Sequence, residues 1–156
     1  MPSRTLRHGD AEVSIEADDS RPLLDVLRAE LGVRSASRAC QDGTCGACRV
    51  LLDGALVSSC RVPWRDVPDG ARVETYEQLA SEPAAVRAVE AFAEERPSRC
   101  RMCVGALGVT AVALARSLVP GAEGADDRRA AAIDATLVDA TCMCTGRGSW
   151  RRALSK

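Results

Sequence analysis

The stretch that decides the fold runs from residue 40 to residue 60, CQDGTCGACRVLLDGALVSSC. Cys40, Cys45 and Cys48 stand in a C-x4-C-x2-C array, and Cys60 closes the stretch. This is the spacing of plant-type [2Fe–2S] ligation, which also requires a distant fourth cysteine. Asp53-Gly54 lies between two apolar runs and is a two-residue hairpin signal. With that turn, Leu52 faces Ala55 and Leu51 faces Leu56; the same register carried outward puts Cys60 opposite Ala47, beside Cys48. Gly43 and Gly46 allow the cysteine loop positive φ and a close approach of its N–H groups to the sulfurs, so both are read as cluster-loop residues. Zinc modules more often pair C-x2-C knuckles, a pattern this stretch does not show.

Four further cysteines follow as Cys100-x2-Cys103 and Cys142-x-Cys144. Their spacing alone is compatible with zinc, a redox pair or a second cluster. Cys103 directly precedes an apolar helical stripe and Cys144 a short C-terminal helix, so two positive helix ends are expected to face one thiolate site. The chain has one histidine, His8. A Rieske centre and a Cys₂His₂ zinc site each need two, which leaves all-cysteine sites.

Composition narrows the function classes. Net charge is −1 and aromatic residues are 3% of the 156, so neither a basic face nor a base-stacking surface is implied and nucleic acid is not an expected partner. The start, MPSRTLRHGDAEV, has no apolar export stretch, and the longest apolar run is interrupted by Arg116. The expectation is a soluble cytoplasmic protein without a membrane partner, in which eight cysteines serve as metal ligands rather than disulfides. No G-x-G-x-x-G flavin or nucleotide loop occurs, and a lone histidine leaves no Ser/His/Asp set, so no catalytic residue is assigned. Asp134 and Asp139 do not share a helix face and are expected to be solvated.

The secondary-structure pattern changes along the chain. Ala11 to Ala17 alternates like a half-buried strand, Leu23, Leu27 and Leu31 share a helical face after Pro22, and Ala71 to Thr75 reads as a last strand. From Pro83 the period is helical. Val86, Val89 and Ala93 are expected to form the buried face of one helix, and Val104, Leu107, Ala111, Leu114 and Leu118 that of the next. Pro120 to Gly124 is expected to be a loop, Ile133 and Leu137 to lie on a third helix, and a fourth to begin near Gly148. The fold class is α+β, with a boundary near residues 76–83: residues 1–80 a β-rich first domain and 81–156 a four-helix domain.

The segment PLLDVLRAELGVRSASRACQDGTCGACRVLLDGALVSSC, residues 22–60, together with Cys100, Cys103 and Cys142-Met143-Cys144-Thr145-Gly146, resembles the small iron–sulfur subunits of the molybdenum hydroxylases, the xanthine dehydrogenase, aldehyde oxidoreductase and carbon monoxide dehydrogenase group. The resemblance spans roughly residues 11–154. It implies a ferredoxin-like β-grasp domain followed by a helical domain, each holding one [2Fe–2S] cluster. Cys40, Cys45, Cys48 and Cys60 would hold the first cluster, and Cys100, Cys103, Cys142 and Cys144 the second. It also implies a relay of single electrons from a large molybdopterin subunit, through the helical-domain cluster and then the plant-type cluster, towards an FAD-binding medium subunit or another acceptor.

The chain departs from the family around the second set. The family usually reads Gln-Cys-Gly-Phe-Cys-Thr-Pro-Gly; this chain reads Arg99-Cys100-Arg101-Met102-Cys103-Val104-Gly105-Ala106. Met143 and Arg147 replace the usual Arg and Tyr. By the resemblance, Arg99 takes the place of a pterin-contacting glutamine and is a candidate for pterin or partner contact, through an arginine fork suited to phosphate or carboxylate. A complex with altered or absent molybdenum chemistry is the other reading of these departures.

Overall fold

The computed structural model describes residue 1 and residues 3–95, 100–118 and 125–156. Five strands form one mixed sheet: β1 (Ser3–His8), β2 (Ala11–Glu16), β3 (Arg49–Leu52), β4 (Ala55–Ser58) and β5 (Ala71–Glu74), in the order β2-β1-β5-β3-β4. β1 and β2 make a hairpin through Gly9 at φ 63°, while β1 and β5 run parallel. The β3–β4 hairpin has the register expected from its Asp-Gly turn, with Leu52 opposite Ala55 and Arg49 opposite Ser58.

Helix α1 (Leu23–Glu30) lies across this sheet. Its Leu23, Leu24, Val26 and Leu27 are buried with Trp64 against Leu6, Ile15, Val50 and Val73. Each such side chain contributes roughly 1.5–3 kcal/mol by leaving water. Gly32, at φ 66°, turns the chain out of the helix and into the cysteine loop.

The second half is helical: α2 (Tyr76–Leu79), α3 (Pro83–Glu95), α4 (Val104–Ser117), α5 (Ala125–Thr136) and α6 (Gly146–Ser155). Helix α2 is opened by a capping box, in which Thr75 N–H donates to Gln78 Oε1 at 2.7 Å. Helix α4 is buried almost all round, which explains its run of small residues. A Cβ on Gly108 would stand 2.4 Å from the Tyr76 ring, and one on Gly105 would stand 2.7 Å from Ser35 Cβ. These two glycines let α4 press against the first half of the chain.

The pattern of the sequence did not announce strand β1. It has no apolar alternation, because only Leu6 is fully buried in it; pairing on both sides, rather than patterning, makes it a strand. Two expectations need correction. Helix α3 buries Ala85, Ala88 and Phe92, whereas Val86 is 37% exposed and Ala93 faces solvent. The alanines allow close approach to α4 and α6, and the bulk of Phe92 fills the remaining gap, so Val86 is displaced from the interface. Asp134, for its part, is not merely solvated: it accepts from Arg151 Nε at 2.6 Å. The expected loop at 120–124 lies outside the described residues, as does Arg99.

Candidate metal centres

The cysteine loop between α1 and β3 is shaped by two left-handed glycines, Gly43 at φ 79° and Gly46 at φ 70°. The space beside each is already taken. The Arg61 side chain covers Gly43, and Asp139 O and Ala140 Cβ lie 3.0 Å from where a Cβ on Gly46 would be. Cys45 N–H donates to Cys40 Sγ at 3.5 Å and Ala47 N–H to Cys45 Sγ at 3.4 Å, so the loop turns its amides towards sulfur.

Cys60 arrives as expected but by a different local route. It sits in a 3₁₀ turn, Ser59–Arg61, rather than at the end of a continued strand. Ser59 Oγ–H donates to Cys48 O at 2.6 Å and fixes the turn, leaving Cys48 Sγ and Cys60 Sγ 3.2 Å apart. The first set is therefore two pairs, Cys40 with Cys45 and Cys48 with Cys60, a donor arrangement that suits two irons with two thiolates each. Burial, then the neighbouring Cys48, pushes the Cys60 thiol up to about 12. As a thiol it holds its proton, and metal binding must release it.

The second set surrounds a cavity of about 210 Å³ lined by Cys100, Cys103, Cys142 and Cys144. Cys103 immediately precedes α4, and Gly146 N–H, opening α6, donates to Cys142 O at 2.8 Å. Both helix N-termini thus stand at the site. Cys103 is buried, and burial lifts its thiol to about 12, whereas Cys144 is exposed. Met102 and Met143 form an exposed rim. The remaining wall comes from the first set's own loop: Ala39, Cys45 and Ala47. Thr141 N–H donates to Cys45 O at 3.2 Å, so a backbone hydrogen bond joins the two sets.

Two buried polar groups beside this cavity, the Trp150 indole N–H and the Thr145 hydroxyl, point at the sulfurs of Cys103 and Cys142 and have no nitrogen or oxygen partner among the described residues. Buried donors are normally satisfied. Aimed at cysteine sulfur, these donors favour the thiolate over the thiol, which is the form that ligates a metal. No disulfide joins any of the eight cysteines, all of which are among the described residues. The donor sets thus fit two iron–sulfur clusters.

Sequence reasoning missed several residues of this region. Arg49, 6% exposed, points its guanidinium between the halves, and its signal was an arginine heading the apolar run RVLL directly after Cys48. Glu77 accepts from the N–H groups of Arg34 and Ser35, both at 2.8 Å, and ties the approach to Cys40 onto α2. His8 is no ligand candidate; its Nε2 is 3.2 Å from Thr75 Oγ1. Arg101 is exposed.

Residues 7–80 match the 2Fe-2S iron-sulfur cluster binding domain, which defines the chain as an iron–sulfur protein. It is similar to a nicotinate dehydrogenase subunit from Pseudomonas putida, 34% identical over 65% of this chain and 64% of that one. The match to the nicotinate dehydrogenase small FeS subunit of Eubacterium barkeri is 30% identical over 89% of this chain and 83% of the other. The structure superposes on aldehyde oxidoreductase from Desulfovibrio gigas with a TM-score of 0.76 at 26% identity, covering 99% of this chain and 16% of that one. The chain belongs to the small iron–sulfur subunit family of the molybdenum hydroxylases. It spans slightly under two thirds of the Pseudomonas relative and a small fraction of the aldehyde oxidoreductase.

Proposed function

We propose that the chain is a relay subunit of a multi-subunit oxidoreductase, carrying single electrons through two [2Fe–2S] clusters from a molybdopterin-containing catalytic subunit towards an FAD-binding medium subunit or another acceptor. The observation that carries this reading is the shared wall: Cys45 belongs to the first cysteine set, lines the cavity of the second, and is hydrogen-bonded to the residue before Cys142. The proposed ligands are Cys40, Cys45, Cys48 and Cys60 for one cluster and Cys100, Cys103, Cys142 and Cys144 for the other.

When bound, the clusters supply reversible one-electron chemistry. The chain's residues do the remainder. The loop amides of Cys45 and Ala47 face sulfur, Trp150 and Thr145 offer donors to the second site, and the Gly46–Ala140 contact sets the spacing. No substrate chemistry is proposed on this chain.

The finer architecture follows the same reading. Residues 1–80 form the ferredoxin-like unit and 81–156 a four-helix unit of α3, α4, α5 and α6, in which the N-termini of α4 and α6 face the second cluster. Arg99 remains our candidate for contact with the pterin or the partner, by its place beside Cys100. Among the described residues no helix is long and apolar enough to cross a membrane, and the setting we propose is the cytoplasm, where thiols stay reduced.

The test is the metal and flavin content of the complex purified from its own host. About four irons per chain together with molybdenum support the relay. Four irons without molybdenum favour a relay with different partner chemistry, and zinc without iron rejects both.

A further inference from the structure

Arg49 is the most deeply buried charged side chain near the two cysteine sets, at 6% exposure. Its N–H donates to Gly46 O at 3.2 Å inside the first cysteine loop. Its guanidinium reaches the other half of the chain. Nη1 donates to Thr110 Oγ1 of α4 at 3.3 Å, while Nη2 donates to the carbonyls of Thr136 and, at 3.4 Å, Asp139. Its centre is 5.9 Å from the Trp150 ring centroid. That indole directs its buried N–H at the sulfur of Cys103.

A buried cation is costly unless an anion accompanies it. The hydrogen-bonding partners of this one are two carbonyls and a hydroxyl, with an aromatic face beside it; no carboxylate hydrogen-bonds to it among the described residues. The charge nearest in effect is the solvent-exposed Asp139 carboxylate, and after it come the sulfurs of Cys48 and Cys45, with Cys103 beyond Trp150 on the other side. A cluster held by four thiolates is an anion, and it gains one more negative charge on reduction.

We propose that Arg49 is the shared counter-ion of both clusters, a fixed positive charge that stabilises the reduced form of each, and that its stack on Trp150 holds the two sites in register. The inference rests on the two-cluster reading. It makes Arg49 a positioning residue for the relay and adds a property the cysteine spacing does not contain: the two potentials are tied to one side chain. Arginine suits the place because it stays charged when buried and its planar fork serves several acceptors at once.

The experiment is a potentiometric titration of the complete complex, following both cluster signals by EPR, in wild type, Arg49→Gln, Arg49→Met and Arg49→Lys. Iron content is measured first. Wild type lacking iron for two clusters defeats the relay reading itself and is distinguished at that step. With both clusters loaded, each neutral variant is expected to lower both midpoints, and Arg49→Lys to keep both above those of the neutral variants. Unchanged midpoints in a loaded neutral variant, or a shift confined to one cluster, overturn the proposal. If neither neutral variant retains iron, Asp139→Asn decides: removing the acid that faces the guanidinium is expected to raise both midpoints, and no shift overturns the proposal.

Discussion

The N–H of Thr141 donates to the carbonyl of Cys45 at 3.2 Å, which brings a backbone that leads directly into Cys142 against the loop of the first cysteine set. Two sites that lie far apart in sequence are thereby joined through the backbone.

That proximity has a magnetic consequence. Reducing both clusters is expected to produce spin–spin broadening of each EPR signal. Cys60→Ser, which removes a ligand from the first set only, is expected to abolish the broadening and to leave about two of about four irons. A Cys60→Ser protein retaining both signals would contradict the ligand assignment.

Glycine geometry gives a second expectation. Gly32 and Gly46 both have positive φ, but a Cβ on Gly32 meets nothing within 4 Å, whereas one on Gly46 meets Asp139 O and Ala140 at 3.0 Å. Gly32→Ala should cost about 1 kcal/mol of backbone strain. Gly46→Ala should cost about 2–4 kcal/mol, because packing is disturbed as well. Denaturant unfolding of the two variants measures the difference, and equal losses would show that the seam at Ala140 yields freely.

Glu77 gives the fold a defined acid dependence. Burial acts to raise its carboxyl, but hydrogen bonds from Ser35, Thr75 and Arg34 outweigh it and hold the group at about 2, below its usual 4.5. A depressed carboxyl stabilises the fold above its ordinary value, and that contribution disappears as pH falls from about 4.5 towards 2. For this half-exposed group the contribution is about 1–2 kcal/mol after solvent screening. Glu77→Gln is expected to be less stable than wild type at pH 7 and to approach it near pH 3. A gap independent of pH, followed by far-UV dichroism, would assign the effect to packing instead.

Exposure distinguishes the two sets. Cys144 is exposed, while in the first set Cys45 and Cys48 are buried and Cys40 and Cys60 half-buried. Chelator or air is expected to remove the second cluster first from the isolated chain, and to act more slowly in the complex if a partner covers the exposed rim of Met102 and Met143. Loss of the first EPR signal ahead of the second would reverse this ranking.

Much of this arrangement is legible in the sequence, for identifiable reasons. The Asp53-Gly54 turn determines register by itself, so Cys60 could be placed beside Cys48 before any tertiary information. Residues whose role depends on long-range packing were not legible. Strand β1 is held by β2 and β5 rather than by its own pattern, and helix α3 buries small alanines because α4 lies close. Arg49 hydrogen-bonds to residues 61, 87 and 90 positions away, a distance over which local pattern carries no information.

Because Ala47 and Cys45 form one wall of the second cavity, the chain is not two modules on a string. Cut near residue 80, the first half would turn part of its cysteine loop to water, and the second would lose one wall of the cavity proposed for its cluster. Recombination that exchanged only one half would have to recreate that wall in the new partner. The two centres are thus best regarded as a single heritable part, gained, assembled and lost together.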